Sequence, residues 1–152
     1  MMAKPYDFYP YNLPVSFHFR IIIPGKGSDD DIKFQEVGGL TAEMGVEELV
    51  VGGENTFTYR LPTRAKYNNL VLKRGMLKNT KLIAWFRSSI ENFEFEPVDV
   101  SVHLLNENHE VITSWEVIQA YPVKWIISDF NANNNSLVIE TIELAYQYFK
   151  RK

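Results

Sequence analysis

Apolar and polar residues alternate along much of this chain with a period of two. Val15, Phe17, Phe19, Ile21 and Ile23 point one way, and Ser16, His18 and Arg20 the other, the pattern of a half-buried strand. The turn residues Pro24-Gly25-Lys26-Gly27-Ser28 follow, with Asp29, Asp30 and Asp31 at the tip. Residues 32–37 then read as the returning strand of a hairpin, which Gly38-Gly39 breaks. Extended runs continue over 40–44, 46–51 and 57–61, with a turn cluster at Gly52-Gly53-Glu54-Asn55 and with Pro62 as the stop of the last run. Residues 67–73, carrying Leu70, Val71 and Leu72, form the next strand, and Gly75 closes it.

Over residues 80–91 the period changes. Leu82, Phe86 and Ile90 recur every four residues, and Ile83 and Trp85 widen the stripe, so this stretch is an amphipathic helix. Asn79 or Thr80 is placed to cap it. A single helix has only a sheet on which to lay its stripe. Strands then resume. Val98, Val100, Val102 and Leu104 alternate with Asp99, Ser101 and His103, and Asn106-Glu107-Asn108 makes a turn. Val111, Thr113, Trp115 and Val117 share a face of a strand running to Gln119. Tyr121-Pro122 interrupts it and residues 123–127 continue. After a polar turn at 131–136, residues 137–149 form one long last strand with Val138, Ile142, Leu144, Tyr146 and Tyr148 on a common face. About eight to ten short strands with regular turns, plus one helix, define a mostly β sandwich or small barrel.

A chain of 152 residues is one domain's length, and a domain of that size buries roughly 68–70% of the surface its unfolded chain exposes. No covalent staple is needed, and with no cysteine there are neither disulfides nor thiolate metal sites. The 16 basic residues against 19 acidic ones give a net charge of −3, too balanced for a nucleic-acid-binding surface. The most apolar stretch, 15–24, is interrupted by Ser16, His18 and Arg20, far from the about 20 apolar residues of a membrane span. The beginning, MMAKPYDFYPYNLP, has no apolar signal-peptide core, so the protein is expected to stay in the cytoplasm where it is made. Residues 1–14, with Pro5, Pro10 and Pro14 among tyrosines, read as an arm that packs on something, a loose tail being the alternative. Residues 15–152 form the domain, and Lys150-Arg151-Lys152 is a solubilising tip.

Catalytic and metal-binding patterns are missing. His18, His103 and His109 are the histidines, and none forms an H-E-x-x-H pair. There is no nucleophile elbow and no phosphate loop. Gly38-Gly39 and Gly52-Gly53 open no helix and so offer no anion site. Glu47 and Glu48 fall on opposite faces of a strand, so they cannot share a proton. The aspartates at 29–31 do not have calcium-loop spacing. Asn134-Asn135-Ser136 matches a glycosylation sequon without a secretion signal. The chain is expected to have no catalytic residue, no cofactor and no metal, and to act through interaction.

The segments FQEVGGLTAEM and GGENTFTYRLPTRAKYNNLVLKRG within residues 34–75, and then VSVHLLNENHEVITSW and AYPVKWIISDFNANNNSLVIETIELAY, resemble the tail-tube proteins of contractile phage tails and phage-like contractile injection systems. The resemblance runs from about residue 15 to the end, in order. It implies a tail-tube or Hcp-like β-barrel of two packed antiparallel sheets with one outer helix, related to type VI secretion ring proteins. It also implies six-membered rings that stack into a tube inside a sheath. The partners implied are further copies of the chain, adjacent tube rings, hub or spike and baseplate proteins, and the sheath protein, with no nucleic acid and no membrane. Assembly would occur in the cytoplasm and end in a phage tail or a secreted injection particle.

In that family the segment matching 46–69 is an excursion that reaches a neighbouring ring. The matching positions here are Gly52, Gly53, Glu54, Asn55, Phe57, Arg60, Pro62, Lys66 and Tyr67; an ordinary hairpin is the alternative. Two features look more like tube initiators, which join the hub to the first ring, than like plain repeating subunits. They are the aromatic arm with Tyr6, Phe8, Tyr9 and Tyr11, and the terminal Tyr146, Tyr148 and Phe149. The expected role is therefore a tube initiator. The alternatives are the main repeating tube subunit, a secreted ring-forming effector or carrier, and a solitary ligand-binding barrel.

Overall fold

The computed structural model describes residues 18–26, 34–75, 81–133 and 138–152. The arm with Tyr6, Phe8, Tyr9 and Tyr11, the aspartates at 29–31, the capping residues Asn79 and Thr80, and the sequon at 134–136 lie outside them. The described elements are β1 (His18–Ile22), β2 (Glu36–Gly38), β3 (Ala42–Leu49), β4 (Tyr59–Tyr67), β5 (Leu70–Gly75), α1 (Lys81–Glu91), β6 (Val98–Leu105), β7 (Val111–Ile127), β8 (Ile139–Ala145) and β9 (Tyr148–Arg151).

Seven strands form one curled sheet in the order β1-β6-β7-β8-β5-β2, with β9 paired to β7, and β3 and β4 form a separate two-stranded sheet. Every pairing is antiparallel. The curvature comes from β7. Its first half pairs with β6 and β9, and its second half, from Tyr121, pairs with β8. At the bend Gln119 has φ 54° and its N–H donates to Asp99 Oδ1 at 2.9 Å, beside a register shift between Val98 and Val100. A bulge of this kind bends the strand and re-aims its side chains. Val117 lies in the core before the bend, and Ala120 and Pro122 after it.

The core gathers Ile21, Ile23, Leu70, Leu72, Val100, Val102, Val117, Ile142 and Leu144, with Leu82, Trp85 and Phe86 of the helix laid against them. The helix meets β7, and Phe86 lies 6.5 Å from Trp125. Its buried face is Leu82, Trp85, Phe86 and Ser89, while Ile90 is exposed. The stripe is thus rotated from the Leu82–Phe86–Ile90 row, because Ser89 satisfies its hydroxyl by donating to the Trp85 carbonyl at 3.1 Å and can be buried without loss.

The alternation of β1 holds as expected, and that of β6 holds through Val102, after which a register shift buries Leu105 in place of Leu104; several other local expectations change. β1 pairs with β6, and β2 pairs with β5, so β1 and β2 are not partners in a hairpin. The runs 40–44 and 46–51 are replaced by one strand, β3, with a bulge between Met44 and Val46. Pro62 does not end its strand. It sits inside β4 opposite Val46, where a two-stranded sheet leaves one side of the strand unpaired and the missing N–H breaks no ladder. Tyr121-Pro122 does not interrupt β7 either. The long last strand turns a corner at Tyr146-Gln147 and becomes β8 and β9.

Candidate assembly interface

β3 and β4 leave the barrel as a ribbon. They pack extensively on each other, and among the described residues the ring contacts of the ribbon with the barrel are those of Tyr67 at its root. Every residue of β3 and β4 is exposed except Gly45 and Tyr67. At the tip Gly52-Gly53 form the turn, with Gly53 at φ 95°, and the Glu54 N–H donates to the Val51 carbonyl at 3.3 Å. The Glu54 carboxylate accepts the Thr56 N–H at 2.9 Å, and that bond holds its pKa below the usual carboxylate range. Asn55 is exposed beside it.

The register sorts the ribbon's two faces. Val46 opposite Pro62 and Glu48 opposite Arg60 share one face; Glu47 opposite Leu61 and Leu49 opposite Tyr59 share the other. Phe57 stacks edge-on against Tyr59, with ring centroids 5.0 Å apart. Leu49, Phe57, Tyr59 and Leu61 thus form an apolar patch on the outer half of one face, all of them exposed. Val50, 78% exposed, extends the apolar character toward the tip. Lys66 lies opposite Glu43 near the root. A lone two-stranded ribbon is marginal in water, and a contiguous exposed apolar patch of this sort marks an interaction site.

Tyr67 closes the ribbon at the barrel. Its ring lies 6.0 Å from Tyr146 and 5.4 Å from Phe149, and those two are 6.2 Å apart. The fold therefore brings together one residue of the ribbon group and two of the C-terminal aromatics. Burial and the neighbouring Tyr67 push the Tyr146 phenol above its ordinary pKa of 10.0. Tyr148 is not in this cluster; Lys150 Nζ sits 5.4 Å over its ring. A second aromatic surface follows the helix. Phe93, at φ 56° and 81% exposed, meets Phe95, which in turn meets Tyr121.

The sequence reading passed over one pair. Arg74 Nε donates to Glu140 Oε2 at 3.0 Å, and Trp125 Nε1 donates to Glu140 Oε1 at 2.7 Å, with both charged residues buried. Arg74 also lies over the Phe34 ring at 5.5 Å. The signal was present: Arg74 is in phase with Leu70 and Leu72, and Glu140 with Ile142 and Leu144. A charge on the apolar phase of a strand is a buried charge, and it requires a partner.

The chain is similar to a chain of the anti-feeding prophage baseplate, solved with sixfold symmetry, at 28% identity and a TM-score of 0.80 over 99% of this chain and 97% of that one. It is similar to a chain from the sheath/tube terminator of the extracellular contractile injection system PVC, at 26% identity and a TM-score of 0.77 over 93% and 97% of the two chains. A type six secretion system protein shares the fold at 15% identity, with a TM-score of 0.58 over 90% and 83% of the two chains. A comparison with curated protein sequences finds no significant match. Residues 15–150 match the family described as T4-like virus tail tube protein gp19, and the chain belongs to that family.

Proposed function

We propose that this chain is a non-catalytic structural subunit of the inner tube of a contractile injection system or phage tail, that it closes into six-membered rings, and that it is the initiator joining the hub and baseplate to the first tube ring. The observation that carries the reading is the ribbon: an element whose apolar face is exposed among the described residues, in a member of a tail-tube family. The positions Gly52, Gly53, Glu54, Asn55, Phe57, Arg60, Pro62, Lys66 and Tyr67 are the proposed contacts with a neighbouring subunit or ring. Among the described residues the outer edges of β1 and β2 are also unpaired. Edge strands pair readily with another chain, and a heterologous contact that closes gives a ring.

The initiator role rests on two supports. One is the similarity to a baseplate chain at 28% identity. The other is the number of aromatic residues near both ends, Tyr6, Phe8, Tyr9 and Tyr11 and then Tyr146, Tyr148 and Phe149. A repeating subunit needs top and bottom faces that fit each other. An initiator meets a different protein below, and aromatic side chains are enriched at such interface cores. The partners in this reading are hub, baseplate and sheath proteins, and the final location is a phage tail or an extracellular particle.

Quantitative mass spectrometry of purified particles tests the role. One or two rings of this chain per particle are expected, and removal of residues 1–12 should block tube growth while the domain stays folded. A copy number comparable to that of the sheath protein would make it the repeating tube subunit. A chain that stays monomeric at all concentrations and inside particles would end the ring reading altogether.

A further inference from the structure

The ribbon has only a narrow connection to the barrel. Its two crossings are 39–41 and 68–69, and they touch. Gly39 sits at φ 85°, and a Cβ placed there would come within 1.9 Å of the Asn69 carbonyl oxygen. The Thr41 N–H donates to the Gly39 carbonyl at 2.8 Å and the Asn68 N–H to the Thr41 carbonyl at 3.3 Å. The second bond and the approach of Gly39 to Asn69 hold the crossings to each other. Beyond them β2 and β5 pair in the register that β3 and β4 continue, Gly38 opposite Val71 and Ala42 opposite Tyr67. A two-stranded ladder alone is marginal, and its tilt takes a further hold.

That hold comes from the three rings at the root. Tyr67 is the last residue of β4, whereas Tyr146 and Phe149 flank the corner at which β8 passes into β9. That corner is part of the barrel: the Gln147 N–H donates to the Ile118 carbonyl at 3.0 Å, and Phe149 is registered against Val117 in the core. Each Tyr67 contact, 6.0 Å to Tyr146 and 5.4 Å to Phe149, therefore crosses from ribbon to barrel. The Tyr146 hydroxyl adds a long hydrogen bond of 3.4 Å to the Gly39 carbonyl on the other crossing. Both crossings are thus tied to one rigid corner.

We propose that Tyr67, Tyr146 and Phe149 form a clamp that sets the angle at which the ribbon projects, so that Tyr146 and Phe149 are positioning residues for the intersubunit contact. The reason is leverage. At about 3.3 Å per residue a strand the length of β4 spans about 25–30 Å, so a tilt of about 10° at its root moves its far end by about 5 Å. That exceeds the 4.0–4.5 Å range of an apolar contact, so a ribbon with a free root would meet its neighbour only in a fraction of its orientations. A clamp removes that orientational freedom before assembly, which is the general gain from preorganisation. The consequence for assembly rests on the tube-subunit reading; the clamp itself does not.

The test separates the two. The chain contains no cysteine, so a pair introduced at Asn55, at the tip, and Lys124, exposed on the barrel, can carry a donor and an acceptor dye. Single-molecule energy transfer in the full chain, at a dilution where no assembly forms, reads the ribbon's direction. The parent is expected to give a single narrow efficiency peak. Tyr67→Ser should lose that peak and spread into a broad distribution, and Tyr67→Phe should restore it. Tyr146→Ala with Phe149→Ala should match Tyr67→Ser. If that pair fails to fold, Tyr67→Ser alone decides, because it lies on the ribbon side of the clamp. A narrow peak that survives Tyr67→Ser, or a parent distribution that is already broad, overturns the proposal. Failure of the chain to form rings would leave this measurement intact and would count against the tube reading only.

Discussion

The β5–β8 pair and the β3–β4 ribbon are both antiparallel ladders, and β4 and β5 are separated only by Asn68 and Asn69. Their burial is reversed with respect to polarity. β5 and β8 bury a charged pair, Arg74 and Glu140, among Leu70, Leu72, Ile142 and Leu144. The ribbon leaves Leu49, Val50, Phe57, Tyr59 and Leu61 in solvent. Residue type therefore does not decide burial here; the presence of a covering layer does. β5 and β8 share one core cluster with residues of β1, β6, β7 and the helix, and a charge buried there must be paired. Among the described residues nothing covers the apolar face of the ribbon, the kind of surface that marks an interaction site.

The contrast should be largest in folding stability at Glu140. Glu140→Ala takes from the buried Arg74 guanidinium its carboxylate partner, and breaking a buried pair from one side costs about 3–5 kcal/mol. Urea unfolding followed by far-UV circular dichroism should show a midpoint far below the parent's. A midpoint close to the parent's would mean that this ladder is no more demanding than the ribbon.

A smaller loss is expected where the two regions join. Gly39→Ala places a side chain in the left-handed region and against the Asn69 carbonyl, and strain of that kind costs on the order of 1–3 kcal/mol. Hydrogen exchange should place the new protection loss at 39–42 and 67–70, leaving β6 and β7 as in the parent. Uniform loss across the barrel would show that the root is part of the core.

The least effect on folding belongs to the ribbon itself. Arg60→Ala together with Lys66→Ala removes two exposed charges that face Glu48 and Glu43, and exposed changes of this type stay within about ±0.5 kcal/mol. Ring stacking, observed by electron microscopy of assembled tubes, should nonetheless weaken. A sharp fall in thermal stability with stacking intact would place the ribbon in the fold and erase the distinction between the regions.

Much of the barrel could be read locally. The alternation of Phe19, Ile21 and Ile23, and that of Val98, Val100 and Val102, repeats every two residues whatever the partner strand, because successive side chains point to opposite faces. The helix was legible from its own longer period, although the row that includes Ile90 is a residue off the buried face, which takes Ser89 instead. The turn at 52–55 was legible from its glycines and polar residues, while the pairing of β3 with β4 across it came from the structure. The root of the ribbon was not legible. Tyr67, Tyr146 and Phe149 are separated by as many as 82 positions along the chain, and nothing in local spacing brings them together.

By itself the sequence determined the β character, the helix over 81–91, the absence of cysteine chemistry and the family, since these depend on composition, short periods and ordered local motifs. Only the tertiary structure decided which strands pair. It matched β1 with β6 and β2 with β5 where chain adjacency favoured β1 with β2, and it carried β4 through Pro62 because that strand has an unpaired side. It also bent β7 at Gln119 and sealed Arg74 against Glu140. The physical reason is common to all four. Burial and pairing are properties of contacts between segments far apart in the chain, and a residue's own neighbours in sequence carry no record of what will finally cover it.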